Sequence, residues 1–379
     1  MDQGAQPNGR KVRVAVIFGG QSDEHDVSLR SAQTVIGALD PARYDVVPIG
    51  ITRDGRWLSD GDPMVALTAT SPLFHLSEGS GSGPEGPSTS DLVSTGSPAE
   101  GSLTAGFGQV MGDRIDVVFP VLHGPRGEDG TIQGMMELAG MVYVGSGVLG
   151  SSVAMDKAMT KTVLAQAGLP QVPYLLVQRR EWQRQPDRVR EMVTEGIGYP
   201  CFVKPANMGS SVGVSKVHGP AELASAMDAA AHHDRRILIE RGVDVREVEV
   251  SVLGNEDPIT SVVGEIVPAN EFYDYESKYV VDGSKLIIPA DLPADTVSEI
   301  QRIAVRAFQA LDLAGLARVD FFVERTTGQV WINEANTIPG FTATSMYPLL
   351  WQASGMPLAE LVNSLVALAV DRHGGQQDR

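Results

Sequence analysis

Arg318, Asp320, Glu334 and Asn336 are the residues of this chain best spaced to do chemistry. They fall in two short runs, Arg318-Val-Asp-Phe-Phe322 and Trp331-Ile-Asn-Glu-Ala-Asn336, joined through Arg325-Thr-Thr-Gly328. If that turn closes a hairpin with residues 324 and 330 paired, Asp320 lies opposite Glu334, and the two-residue repeat of a strand puts Asn336 on the face of Glu334. The apolar neighbours Phe321, Phe322, Trp331 and Ile332 imply burial, and buried, clustered carboxylates need a cation. Hard oxygen donors without His or Cys suit Mg²⁺, which keeps waters and is completed by substrate phosphates. An exposed, salt-bridged strand face is the rival reading, and the flanking apolar residues speak against it.

Two glycine-rich runs bear on phosphate binding. In Val203-Lys-Pro-Ala-Asn-Met-Gly-Ser-Ser-Val-Gly-Val-Ser-Lys216, Gly209 and Gly213 flank the hydroxyls of Ser210 and Ser211. Backbone amides of such a loop can wrap phosphate oxygens, with Lys204 at the preceding strand end as a point charge. A plain β-hairpin turn explains the same residues equally well. Gly145-Ser-Gly-Val-Leu-Gly150 matches the dinucleotide pattern G-x-G-x-x-G, but the acidic residue expected about 20 positions on is replaced by the Pro-bounded stretch Gly168-Leu-Pro-Gln-Val-Pro173. A tight interdomain turn is the better reading. No G-x-x-x-x-G-K-[ST] occurs, so a P-loop is excluded.

The elements that must position these groups follow a β-α-β opening. Lys11-Val-Arg-Val-Ala-Val-Ile-Phe18 reads as a buried strand ending at Gly19-Gly20, a helix follows with Ser22 as its cap, and Tyr44-Asp-Val-Val-Pro-Ile-Gly-Ile51 supplies the next strand. Such a start belongs to a parallel sheet. Between 77 and 106, 18 of 30 residues are Ser, Gly or Pro, so this segment reads as a loop. Beyond it come the strand 115–122, a helix at 132–139, a short strand at 141–144 and a helix over 156–168. Strands at 202–204 and 236–240 belong to a second unit. A third begins near Glu247, with an amphipathic helix over 296–311, the hairpin 315–336 and a closing helix over 358–370.

Composition narrows the partners. The 379 residues suffice for two to three domains, and 42% hydrophobic with 20% charged residues is an ordinary globular balance. A formal charge of -17 repels phosphate backbones and anionic lipid surfaces, which disfavours nucleic acid and membrane partners. Cys201, the lone cysteine, rules out intrachain disulfides and reads as a buried structural thiol, and no run approaches the ~18 apolar residues of a membrane span. With no secretory signal at the start, a cytoplasmic protein is expected.

Taken together and in order, Gly19-Gly-Gln-Ser-Asp-Glu-His-Asp-Val-Ser28, His123-Gly-Pro-Arg-Gly-Glu-Asp-Gly-Thr-Ile-Gln-Gly134, Met155-Asp-Lys157, the Lys204 loop, Phe272-Tyr-Asp-Tyr-Glu-Ser-Lys-Tyr279 and Asn333-Glu-Ala-Asn-Thr-Ile-Pro-Gly-Phe-Thr-Ala-Thr-Ser-Met-Tyr347 strongly resemble the D-alanine:D-alanine ligases of the ATP-grasp superfamily. The resemblance spans roughly residues 11–370, leaving only the 77–106 loop unaccounted for. It implies a three-domain α/β chain, α+β in its ATP-grasp part: an N-terminal parallel-sheet domain (11–145), a central lid domain (146–244) and a C-terminal metal-bearing domain (245–372). It also implies a reaction in which ATP phosphorylates the carboxylate of one D-alanine and the amine of a second attacks the acyl phosphate, for peptidoglycan synthesis.

Residue by residue, the resemblance places Lys157 and Lys204 on ATP phosphates under a loop at 209–213 containing Gly209 and Ser211. Glu240, Arg241 and Glu247 fall on the adenine and ribose side. Asp320, Glu334 and Asn336 would carry two Mg²⁺ ions, for which Mn²⁺ can substitute. Glu24 matches the position that binds the ammonium of the first D-alanine, with His123 near its carboxylate. Arg318 and the amide of Gly340 would meet the developing oxyanion, and Ser345 with the amide of Met346 would take the second carboxylate. Ser210 and Tyr279 link to Glu24, and Lys278 reaches the γ-phosphate when the segment 272–283 closes as a lid. A homodimer is the family pattern.

Rival readings are a D-alanine:D-lactate or D-alanine:D-serine ligase, another carboxylate-amine ligase, or a catalytically idle nucleotide-binding regulator. Tyr279 argues against the lactate type, Glu24 with the Ser345-Met346 pair against another ligase, and the intact metal set against an idle copy. Deleting residues 80–99 should leave catalysis within about threefold of wild type, because shortening a loop of this composition changes its closure entropy only slightly. Soluble yield and ADP release of the deletion variant check this, and a collapse in yield would show that the segment carries structure.

Overall fold

Three sheets, each with its own apolar cluster, organise the chain. The computed structural model describes residues 10–59, 61–71, 74, 115–209, 212–268 and 285–377. The loop read at 77–106 and the lid at 272–283 lie outside the described residues.

The first sheet is built from β1 (Val12–Gly19), α1 (His25–Ala38), β2 (Tyr44–Ile51), β3 (Trp57–Leu58), α2 (Pro63–Thr68), β4 (Val117–Val121) and α3 (Thr131–Leu138). Its order is β3-β2-β1-β4, with β1 parallel to both β2 and β4. Central strand β1 is apolar on both faces, as a parallel strand covered on both sides must be. Val14, Val16 and Phe18 pack against Leu29, Ala32 and Val35 of α1, while Ala15 and Ile17 pack towards Ile132 and Met136 of α3. Two expectations are corrected here. Ser22 does not cap α1 through its side chain; its hydroxyl instead donates to the carbonyl of His123 at 2.7 Å, and Glu24 occupies the cap position. Residues 141–144 form a single bridge, Tyr143 to Val118, because Val142 and Val144 both exchange hydrogen bonds with Val118 alone.

Two short helices, α4 (Val148–Met155) and α5 (Lys157–Gln166), lead to the central unit. This contains β5 (Tyr174–Gln178), α6 (Arg179–Arg184), α7 (Pro186–Gly196), β6 (Cys201–Pro205), β7 (Ser215–Val217), α8 (Leu223–His233) and β8 (Arg236–Arg241), with the antiparallel order β5-β8-β6-β7. Cys201 is fully buried in its core, and burial pushes the thiol up to about 11, far from a nucleophile's range.

The third sheet has the order β11-β10-β9-β12-β13, formed by β9 (Val245–Gly254), β10 (Ile259–Val267), β11 (Lys285–Ile287), β12 (Gly315–Glu324) and β13 (Val330–Asn336). Helix α9 (Ala294–Ala310) buries Ile300, Ile303, Ala304, Ala307 and Phe308, the i, i+3, i+4, i+7, i+8 stripe of a helix lying on a sheet. Helix α10 (Met346–Ala353) covers part of the opposite face, where a Cβ at Gly264 would sit 2.7 Å from Met346. The last helix, α11 (Leu358–Gln377), returns to the first sheet, and Leu361, Val362, Leu365 and Val366 join that sheet's core. Among the described residues, no single helix is long and apolar enough to cross a membrane.

The glycines of 145–150 serve packing. Gly145 has φ +100°, and a Cβ on the facing Gly315 would lie 3.1 Å from the Gly145 nitrogen. The hydroxyl of Ser146 accepts from the backbone N–H of Ala314 at 3.2 Å, tying this turn to the entry of β12. A Cβ on Gly150 would come within 2.4 Å of the Asp312 carbonyl. Gly150→Ala should therefore cost about 1–3 kcal/mol of stability, the range for inserting a methyl where backbone must move. Urea unfolding of variant and wild type measures it, and equal midpoints would remove the packing explanation.

Candidate active site

The hairpin of β12 and β13 sets the charged floor of the site. Asp320 does lie opposite Glu334, and Asn336 opposite Arg318, but not by the expected turn register. Residues 324 and 330 are not paired; the turn closes with Val323 facing Val330, one residue out of step. A bulge between Asp320 and Phe321, which leaves Asn333 unopposed, restores the register. On its other side β12 pairs with β9 and places Glu249 beside Asp320 and Glu247 beside Phe322.

Each cation on this floor has a carboxylate partner. Arg318 donates from Nε and Nη2 to the two oxygens of Asp320, at 2.7 Å each, and its Nε lies 2.9 Å from Glu249. Asn336 Nδ2 donates to Asp320 at 3.1 Å. Lys157, first residue of the Asp156-capped helix α5, donates to the carbonyl of Met208 at 2.9 Å and lies 3.3 Å from Glu334. Asp320 and Glu334 are thus partly accessible, with side-chain exposures of 14% and 24%, rather than fully buried as the flanking residues suggested.

Opposite the floor, Lys204 of β6 pairs with one oxygen of Glu240 on β8, and Lys161 lies 2.6 Å from the other. Burial alone would raise the Glu240 carboxyl, but Lys204 and Lys161 outweigh it and hold the group down to about 2. Gly209 precedes Ser210 and Ser211, and a Cβ on it would lie 3.7 Å from Glu24 Oε2. A Cβ on Gly124 would be 3.0 Å from the same oxygen, so the Glu24 carboxylate sits between the loop after β4 and the loop after β6.

A hydrogen-bonded seam joins the first sheet to the loop after β13. His123 Nδ1 lies 2.9 Å from the carbonyl of Ile338, which can only accept, so Nδ1 carries the proton. Nε2 then accepts from the Ser31 hydroxyl at 3.1 Å, and that oxygen accepts from the Phe341 N–H at 3.0 Å. Burial lowers the His123 pKa, which keeps this ring neutral. Beyond the seam, Ser345 begins α10, and its hydroxyl accepts from Thr342 N at 3.0 Å. The N–H groups of the first turn of α10 suit a carboxylate. A Cβ on Gly340 would lie 3.0 Å from Ser345 Oγ, so glycine keeps the amide at 340 approachable.

All these elements enclose one cleft of about 1120 Å³. Glu24, His123, Lys157, Lys204, Gly209, Glu240, Arg241, Glu247, Arg318, Asp320, Glu334, Asn336, Gly340 and Ser345 all line it. Ser210, Ser211, Lys278 and Tyr279 lie outside the described residues. Sequence reasoning missed three acidic or basic groups. Glu249 is signalled by its two-residue step from Glu247 on one strand, and Lys161 by its position one helical turn after Lys157. Glu128 stood within a quoted motif without a role.

Glu128 accepts hydrogen bonds from Gly124 N at 2.6 Å and Ile338 N at 3.3 Å, so it fastens the same seam as His123. The residue keeps some accessible area, but its carboxylate is packed round by protein, and that surrounding sets its acidity. Burial, with the negative charge of Glu24 alongside, pushes it up to about 8, against the pull of the two amides and Arg318. Between the usual 4.5 and about 8 the folded protein holds a proton that the unfolded chain releases, so this group's contribution to stability falls as pH rises through that window. Wild type should therefore lose stability relative to Glu128→Gln between pH 5 and pH 8, as followed by denaturant unfolding; parallel curves would refute the assignment.

The comparisons agree with the residues. The family model described as D-ala D-ala ligase N-terminus matches residues 13–146, and that described as D-ala D-ala ligase C-terminus matches 163–367. The D-alanine–D-alanine ligase of Acetivibrio thermocellus is 50% identical over 367 residues, covering 96% of this chain and 97% of the relative. That of Geobacillus kaustophilus is 47% identical, covering 97% of each chain. Among solved structures, the D-alanine–D-alanine ligase of Coxiella burnetii superposes with a TM-score of 0.75 at 35% identity, covering 97% of this chain and 96% of that one. The D-Ala:D-Ser ligase VanG of Enterococcus faecalis gives 0.77 at 33% identity, covering 95% of this chain and 100% of that one. With both halves matched and full-length relatives near 50% identity, this chain, an ATP-grasp protein in architecture, belongs to the D-alanine–D-alanine ligase family.

Proposed function

We propose that this chain is an ATP-dependent ligase that joins two molecules of D-alanine into D-alanyl-D-alanine for peptidoglycan synthesis. One observation carries the reading: every described residue that the family pattern singles out lines the same cleft, although they come from all three parts of the chain. Its sides divide by chemistry, with Lys157, Lys204 and Arg318 able to meet phosphate and Glu24 able to meet an ammonium.

In this reading Glu24 holds the ammonium of the first D-alanine, and a carboxylate oxygen of that D-alanine attacks the γ-phosphorus of ATP as ADP leaves. Lys157 and Lys204 hold the phosphates in line, and Lys278 joins them from the lid. The amine of the second D-alanine, its carboxylate held by Ser345 and the start of α10, attacks the acyl carbon; inorganic phosphate leaves and the amine gives up a proton. Arg318 and the Gly340 amide hold the oxyanion of that step. Ser210 and Tyr279 steady Glu24, while Gly209 and Ser211 cover the phosphates and Glu240, Arg241 and Glu247 hold the base and ribose. The oxygen donors Asp320, Glu334 and Asn336, partly accessible and free of His or Cys, fit two Mg²⁺ ions, or Mn²⁺ in their place, which when bound neutralise phosphate charge. Domain limits of 11–145, 146–244 and 245–372, a homodimer and a cytoplasmic location belong to the same proposal. The neutral Nδ1–H form of His123 gives it a positioning part, holding the Ile338 carbonyl and so the loop after β13 that carries Gly340.

ADP release with D-alanine, D-serine, D-lactate and L-alanine, offered singly and in pairs, tests the reading. Turnover should be highest with D-alanine alone, and a requirement for a second, different substrate would reassign the acceptor. Glu334→Gln removes one anionic metal ligand at constant volume, so turnover should fall by at least about a hundredfold with the fold intact. Near-normal turnover at ordinary Mg²⁺, with unchanged circular dichroism, would show that the metal set is misassigned.

A further inference from the structure

Lys161 is a buried cation to which the proposed reaction gives no task. It lies on α5 one turn beyond Lys157, and its side chain is only 3% exposed. Its Nζ is 2.6 Å from Oε1 of Glu240 and 5.1 Å from the ring centroid of Tyr174. It does not line the cleft; Glu240 stands between it and the space where a nucleotide would lie.

Glu240 thus has two cations, one on each oxygen. Lys204 faces the cleft and also feels Glu334 and Glu247, whereas Lys161 is shut in behind. Because Lys161 holds the other oxygen of Glu240, Lys204 can exchange its own hold for a phosphate without leaving that carboxylate uncompensated. Only Lys204 can move to meet that phosphate. If Lys161 were absent, the move would strand a buried, unpaired carboxylate, an arrangement costly enough to hold Lys204 back.

We infer that Lys161 is a positioning residue for the nucleotide: it is the standing counter-ion of Glu240, and it leaves Lys204 free to exchange Glu240 for a phosphate. The inference rests on the reading that Lys204 and Glu240 meet ATP, and goes beyond it by giving the pocket a charge-sharing device. Lys161 itself touches no substrate.

Titration calorimetry of the full-length protein with Mg·ADP tests this. Lys161→Met, similar in length but neutral, should weaken ADP binding about tenfold or more and raise the KM for ATP, while the KM for D-alanine stays within about twofold. Adding Glu240→Gln to Lys161→Met removes the carboxylate that detains Lys204. The double variant should then bind ADP within about threefold of Glu240→Gln alone, a non-additivity that a merely structural lysine would not give. Additive losses, or an unchanged affinity in Lys161→Met, would overturn the inference. Lys204→Met separates the two levels: if it weakens ADP binding while Lys161→Met does not, only the charge-sharing idea fails; if it leaves ADP binding unchanged, the nucleotide reading of this pocket fails and the inference with it. Should Lys161→Met be too unstable to purify, recovery of folded protein in the double variant supports the inference, and a double variant equally unstable overturns it.

Discussion

Charge neutrality inside the cleft is the constraint on which the rest of the structure depends. A site that takes polyphosphate must hold cations in a partly dehydrated space, and those cations need partners of their own within the protein. Here Lys157 has Glu334, Lys204 has Glu240, and Arg318 has Asp320 and Glu249. Each partner is supplied by a strand whose register fixes the pair, which is why the site could not be built on one loop. The carboxylates that balance the cations include those whose oxygens suit a divalent metal. Under the proposed function, a nucleotide arriving with its metal would exchange one set of ion pairs for another.

That exchange requires the three sheets to hold together while their facing side chains re-pair. The seam of His123, Glu128 and Ser31 against Ile338 and Phe341 does this between the first sheet and the loop after β13. It consists of hydrogen bonds among enclosed groups with defined donors and acceptors, which gives one arrangement rather than many. Helix α11 adds apolar burial on the same first sheet, so the third unit is fastened to the first from two directions. The central sheet has its own core, built on Val177, Cys201, Val203 and Ile239, and meets the others across the cleft.

How much of this was legible in the sequence follows from how local each determinant is. The β-α-β opening, the stripe of α9 and the paired carboxylates were legible because period and residue type suffice to place them. The pairing of Asp320 with Glu334 was inferred from an ideal hairpin and emerges through a turn one residue out of step and a bulge that cancels it; strand patterns do not encode bulges, though the break in the buried-and-accessible alternation of β13 shows where this one lies. Ser22 has the chemistry of a helix cap, but a carbonyl from the loop after β4, about a hundred residues away, competes for its hydroxyl and wins. Glu128, Lys161 and Glu249 escaped because their meaning lies in partners distant in sequence. An acidic or basic residue read alone is more often at the surface, and only the fold shows that these are enclosed.

Backbone similarity alone does not choose the second substrate. A D-Ala:D-Ser ligase and a D-alanine–D-alanine ligase superpose on this chain with TM-scores of 0.77 and 0.75, a difference too small to separate acceptors that differ by one hydroxyl. Discrimination must therefore lie in a few side chains. Physical chemistry makes it asymmetric: a site that hydrogen-bonds a hydroxyl rejects the analogue lacking it strongly, while a pocket shaped for a methyl rejects an added hydroxyl only by about a hundredfold. A D-alanine enzyme thus gains selectivity over D-serine mainly by withholding a partner for that hydroxyl. Around α10 the Ser345 hydroxyl is already engaged by Thr342, and Met346 behind it is buried against the apolar face of β10. In the proposed reading the N–H groups at the start of this helix meet a carboxylate, and the neighbouring Met346 side chain offers a hydroxyl no hydrogen-bond donor and only a weak sulfur acceptor.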